Sequence, residues 1–205
     1  MYLKLALAVA LTQAAFLAQV PPTGSIRGTV LTEDGQPVAK ATVYGLREPD
    51  MTHQFRTTTD DNGRFLLDQI PAGSIHLSAF KESDWYPDNF FAFFSTGTET
   101  SVEAAVDAGK ATENVVIHTG PKAGKLNLEI VNMDGARVSE GVNLIFTRDG
   151  MRGDYRRGGG GYPILVPAVP FSLTVEAPGY QPWRSGLIKP ESMKTTDITV
   201  RLRHL

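Results

Sequence analysis

The 205-residue chain contains no cysteine. That excludes disulfide staples, thiolate catalysis, a lipidated N-terminal cysteine and every cysteine-based zinc site. The fold must be held by its core alone. An excess of charge of one sign is also missing: Lys and Arg number 20 against 22 Asp and Glu, a formal net charge of −2. No basic field exists to gather nucleic acid, and there is no acidic tail. No Asn-x-Ser/Thr sequon occurs, so N-glycosylation is not expected. A run of about 20 apolar residues, as a transmembrane helix requires, is absent as well.

The longest apolar run, residues 5–18, is broken by Thr12 and Gln13 and follows a short start containing Lys4. Its length and flanks read as a secretory signal peptide spanning residues 1–18, with Ala14, Ala15 and Ala18 as alternative cleavage points. An uncleaved anchor is the competing reading. Together with the missing cysteines, the leader points to bacterial export. The expected location is secreted or periplasmic, in the cell envelope, with no stable membrane span once the leader is removed.

What is plentiful is turn chemistry: 20 Gly and 13 Pro imply many short strands rather than long helices. After the leader the apolar pattern has mostly period two. Residues 25–31 alternate Ile26 and Val30 with Arg27 and Thr29, and Asp34, Gly35 and Pro37 then form a turn. Residues 38–46 return as a strand. Residues 54–59 and 64–67 form a further pair around Asp60, Asp61, Asn62 and Gly63. Residues 74–80 and 115–118 supply two more strands.

The pattern recurs at a constant offset of 100. Ile26 matches Leu126, Val30 matches Ile130, Asp34-Gly35 matches Asp134-Gly135, and Val38 matches Val138. Later, Pro71-Ala72 with Ile75, Leu77 and Ala79 recurs as Pro167-Ala168 with Phe171, Leu173 and Val175. Agreement in apolar positions, turn residues and order argues for a duplicated β-unit, 24–120 and 124–205, joined through residues 120–124. Each unit has room for a seven-strand sandwich.

The first unit resembles the carboxypeptidase regulatory-like domain, a transthyretin-like (prealbumin-like) β-sandwich. The resemblance is carried by Gly24, Ile26, Gly28 and Val30, then Asp34, Gly35, Pro37, Val38, Ala41 and Val43. Thr59, Asp60, Gly63, Phe65 and Leu67 follow, and then Ile70, Gly73 and Ile75. The second unit fits more loosely, keeping the opening strand and the Asp-Gly turn while replacing the middle hairpin with residues 152–165. The resemblance implies an all-β fold of two tandem antiparallel Greek-key sandwiches and a non-catalytic accessory role. Fold likeness alone does not assign function.

Tests for chemistry turn up no site. The acidic cluster at residues 60–62 fails calcium-loop spacing, since Thr58 and Gln69 stand where key oxygen ligands belong. Zincin and His-x-x-Glu motifs are absent, and His53, His76, His118 and His204 lie far apart. No Gly-x-Ser-x-Gly elbow occurs. Residues 120–125 are one residue short of a phosphate loop and Leu126 replaces its hydroxyl residue. No catalytic residue, metal or cofactor is therefore expected.

Three features remain. Trp85, Tyr86, Phe90, Phe91, Phe93 and Phe94 crowd one segment, and Tyr180 and Trp183 follow a later strand in the same way. Trp85, Tyr86, Tyr180 and Trp183 are candidate sugar-stacking residues; cover for a sandwich edge, or for the gap between units, is the plainer reading of this aromatic set. Arg152, Arg156 and Arg157 lie in a glycine-rich basic loop suited to an anionic surface, or to solvent alone. Arg152-Gly153-Asp154 spells an adhesion tripeptide, a weak match for which the loop itself accounts. The resulting expectation is a non-catalytic exported binding or scaffold protein. Its expected ligand is polysaccharide, with an envelope protein partner as the alternative and a hydrolase as the least supported reading.

Overall fold

The computed structural model describes residues 22–47, 54–88, 101–156, 163–166 and 168–205, with the side chains of residues 54 and 154–156 excepted. The expected leader, the phenylalanines at 90–94 and the basic loop at 157–161 lie outside the described residues.

Period-two patterning becomes strands throughout. In the first half these are β1 (Thr23–Leu31), β2 (Thr42–Arg47), β3 (Gln54–Thr58), β4 (Arg64–Pro71), β5 (Gly73–Phe80), β6 (Val102–Val106) and β7 (Ala111–His118). The second half has β8 (Gly124–Asn132), β9 (Asn143–Arg148), β10 (Met151–Arg156), β11 (Pro163–Val166), β12 (Ser172–Glu176), β13 (Trp183–Arg184) and β14 (Thr195–Leu202). Among the described residues a single 3-10 turn, Glu82–Asp84, interrupts this all-β arrangement. No helix among the described residues is long and apolar enough to cross a membrane.

Each half contains a three-stranded and a four-stranded sheet. The orders are β4-β1-β7 and β3-β2-β5-β6 in the first, and β11-β8-β14 and β10-β9-β12-β13 in the second. The pairs are antiparallel with one exception per half: β1 runs parallel to β7, and β8 parallel to β14. A parallel pair cannot be closed by a hairpin. The intervening strands therefore cross to the other sheet, and this crossing makes a sandwich of each half.

Alternation places one face of every strand inward. Ile26, Val30, Val43, Phe65, Leu67, Ile75, Leu77 and Ile117 form the first core. Leu126, Ile130, Leu144, Phe146, Phe171, Leu173, Val200 and Leu202 form the second. The two cores share no residue. Burying one such side chain contributes about 1.5–3 kcal/mol, and no disulfide supplements either core. Phe146 and Phe171 meet edge to face at 5.3 Å across the second core.

The turn after the opening strand is the same in both halves. The Thr32 amide donates to the Gln36 carbonyl at 2.8 Å, as the Asn132 amide donates to that of Ala136 at 2.8 Å. Gly35 and Gly135 take φ of 76° and 85°. The Val38 and Val138 amides then return to the carbonyls of Val30 and Ile130 at 2.9 Å each.

Candidate functional site

The acidic cluster at residues 60–62 closes the β3–β4 connection. One Asp60 carboxylate oxygen accepts from the amides of Asn62 and Arg64, both at 2.8 Å. That oxygen thus serves the turn itself. Asp61 points outward to Lys40 at 2.9 Å, in an ion pair open to solvent. Lys40 lowers the Asp61 pKa, by hydrogen bonding first and charge second. Gly63 takes φ of 73°, and its carbonyl accepts from the Val30 amide at 2.8 Å. No group of three or more acidic, histidine or cysteine side chains among the described residues could hold a metal.

Beside this turn lies a buried polar contact made by Thr59, one of the residues that carry the family resemblance. Thr59 is 2% exposed. Its hydroxyl donates to the Val38 carbonyl at 2.7 Å and accepts from the Ala41 amide at 2.8 Å. Thr59 thereby pins the loop before β2 to the end of β3. Lys40, at φ 55°, makes the bend that allows it.

Trp85 and Tyr86 sit where the two sandwiches join. Trp85 ends the 3-10 turn in the left-handed region, at φ 69° and ψ 18°. For a bulky residue that conformation costs about 1–3 kcal/mol unless its surroundings enforce it. The enforcing contact is present: the Trp85 carbonyl accepts from the Ala123 amide at 2.8 Å. Ala123 is 1% exposed, and its own carbonyl accepts from the Met193 amide at 2.8 Å. One residue of the connection is therefore tied to both halves. The Lys125 ammonium lies 4.6 Å from the Trp85 ring centroid, and that of Lys122 lies 5.6 Å from Tyr86. The Tyr86 hydroxyl has its pKa pushed up, by burial first and then by the charges of Asp84, Asp34 and Glu33. These contacts occupy both aromatics at the joint.

Tyr180 and Trp183 are placed differently. The Tyr180 ring stacks at 4.4 Å on the ring of His204. The Gln181 amide donates to the Arg203 carbonyl at 2.8 Å, so the residues after β14 clasp this loop. Trp183 pairs with Val175 across β12 and β13, and it packs part-buried against the second core. It also lines an open groove of about 390 Å³ shared with Met133, Pro182, Arg184, Arg201 and Arg203. The three arginines converge because β13 and β14 border one another from opposite sheets. Among the described residues, no carboxylate lies within ion-pair distance of any of the three. The structure thus separates the four candidate aromatics into a joint pair and a groove-side pair.

Of the expected basic loop, Arg152 is exposed on β10; the Arg156 side chain and Arg157 lie outside the described residues, as does the Asp154 side chain. Among the histidines, His76 is on β5, the His118 ring nitrogen Nδ1 is 3.2 Å from the Thr32 carbonyl, and His204 is at the Tyr180 clasp. The structure does not bring these three together.

The family model of the carboxypeptidase regulatory-like domain matches residues 25–87. The matched stretch runs from within β1 to Pro87 and includes both the Thr59 pin and the joint aromatics. About nine tenths of the chain is also matched by solved structures of low identity. The TIE protein of Bacillus anthracis is 13% identical with a TM-score of 0.38; the match covers 90% of this chain and 34% of that one. A streptococcal ancillary pilin is 11% identical with a TM-score of 0.37, covering 89% and 62%. The minor pilin of Streptococcus agalactiae is 15% identical with a TM-score of 0.34, covering 89% and 97%. The chain therefore spans about a third of the first of these and less than two thirds of the second. No curated protein matches the sequence.

Proposed function

We propose that this chain is a non-catalytic, exported binding or scaffold protein of the cell envelope. In this reading a leader at residues 1–18 precedes the regulatory-like sandwich (24–120) and a second sandwich (124–205). The joint presents the two in a fixed relation. One observation carries the proposal: Ala123, in the connection, is almost fully buried and bonded on one side to Trp85 and on the other to Met193. A flexible linker would leave those groups in water.

The test is limited proteolysis with trypsin at Lys122, together with small-angle scattering. In the native chain, cleavage after Lys122 is expected to be slow and the scattering to fit one conformation. In Ala123→Asp, cleavage is expected at least about tenfold faster, because local opening governs it. Equal rates in the two proteins overturn the fixed joint. Turnover of a peptide, ester or glycoside by the purified chain overturns the non-catalytic part.

A second reading, polysaccharide binding, is favoured by Trp183. It packs part-buried on the second core and lines an open groove together with three arginines. An envelope protein as partner is the alternative occupant.

A further inference from the structure

We propose that the groove between β13 and β14 binds an acidic saccharide, a sugar chain bearing carboxylates. The proposal deepens the polysaccharide reading and rests on it. Trp183 lines the groove and packs part-buried against the second core. Aromatic surfaces of this kind present apolar area with little entropy to lose on binding. Arg184, Arg201 and Arg203 border the same groove, and no carboxylate among the described residues pairs with them. Three guanidinium groups that line one groove, with no carboxylate of the described residues in ion-pair distance, repel one another. An anion placed among them relieves that repulsion. The guanidinium fork matches a carboxylate in a two-point contact.

The volume, about 390 Å³, lies within the roughly 300–1,000 Å³ of small-ligand clefts. One ring-sized surface flanked by carboxylate receptors fits a sugar ring carrying an acid group. A nucleic acid would draw most of its affinity from phosphate charge. That is a poor match to a chain of net charge −2. The convergence depends on the fold: Arg184 comes from β13 in the four-stranded sheet, Arg201 from β14 in the three-stranded one, and Arg203 follows β14.

The experiment is affinity electrophoresis of the full chain in gels containing polygalacturonate or a neutral glucan. Calorimetry with an oligogalacturonide follows. Retardation is expected in the acidic gel only, weakening as salt is raised. The double variant Arg201→Gln/Arg203→Gln changes exposed positions and should keep the native melting temperature, yet bind at least about tenfold more weakly. Trp183→Ala should lose binding as well, while Trp183→Phe retains part of it and keeps the core contact.

Equal retention by neutral and acidic polymers, unaffected by the arginine changes, overturns the acidic assignment and leaves carbohydrate binding standing. No retention by either polymer overturns both. Single-stranded DNA or phosphatidylglycerol vesicles binding as tightly as the acidic sugar would mark a general polyanion surface, and that too overturns the proposal.

Discussion

Gly63 and Gly35 form a built-in comparison. Both take a left-handed conformation, φ 73° and φ 76°. Replacing either with alanine incurs the left-handed penalty of an L-residue, about 1–2 kcal/mol. Their surroundings differ. A Cβ at Gly35 would meet nothing within 4 Å, whereas at Gly63 it would stand 2.8 Å from the Val30 carbonyl oxygen and 3.0 Å from both Pro37 Cβ and the Val38 nitrogen. Two of those three neighbours are backbone, so the strain cannot be released by a side-chain rotation. Overpacking of this kind adds about 1–3 kcal/mol.

Gly63→Ala should therefore cost about 2–5 kcal/mol and Gly35→Ala about 1–2 kcal/mol. For a sandwich of this size, 1 kcal/mol moves the melting temperature by about 4–8 °C. Calorimetry of the full chain should show the transition of the first sandwich falling by tens of degrees in Gly63→Ala and by roughly 10 °C in Gly35→Ala. Asp61→Ala, which removes only the exposed pair with Lys40, should leave it in place. Equal losses at Gly35 and Gly63 would refute the contact argument, because the left-handed penalty alone would then explain both.

Thr59→Val keeps the shape but strips partners from the Ala41 amide and the Val38 carbonyl. It should cost about 2–4 kcal/mol by urea unfolding, with Thr59→Ser recovering most of that; a loss under about 1 kcal/mol would show that water reaches the gap. Asp84 has its pKa lowered, mainly by the hydrogen bond from Lys81 at 2.7 Å, against the opposing effect of burial. Its contribution is therefore complete above the unfolded carboxylate value and lost as pH falls through the lower folded value. Lys81→Met should flatten that acid limb slightly, since the Asp84 side chain is 43% exposed and the pair is screened; an unchanged stability–pH curve would count against the pair. Millimolar calcium or a chelator should leave both transitions unmoved, and a rise of several degrees with calcium would overturn the turn reading of residues 60–62.

The sequence and the structure agree most closely where the cause is local. Gly35, Gly63 and the Asp60 turn follow from backbone chemistry over four or five residues, and the strands follow from alternation. Ile26 and Leu126, placed 100 apart by pattern, are both fully buried at matching points of β1 and β8. Contacts set by distant chain segments were not legible. Thr59 is legible as a motif position, but its bonds to Val38 and Ala41 are not until the fold brings them over it. Lys40 and Trp85 carry no sign of their positive φ, because an adjoining loop or sandwich imposes it. Arg184, Arg201 and Arg203 are scattered in sequence, and only the meeting of two sheets assembles them. Arg152, Arg156 and Arg157, by contrast, are legible as a basic loop because they are close in sequence.

The aromatic segments show how one architectural position acquires two uses. In each half, the chain that leaves the parallel closing strand turns back to the loop following the penultimate strand of the core sheet. After β7 it delivers the Ala123 amide to the Trp85 carbonyl. After β14 it delivers the Arg203 carbonyl to the Gln181 amide and His204 to Tyr180. The shared element is thus a clasp, which accounts for aromatics at both places without any ligand. The difference lies in what approaches the indole. Lys125 of the next strand lies over Trp85 and Ala123 seals the joint, so a ligand there would have to displace a bonded segment. Trp183 is bordered instead by arginines on an open groove. A substitution that abolishes sugar binding at Trp85 but not at Trp183 would reverse this assignment, because it would require the joint to open before the groove is used.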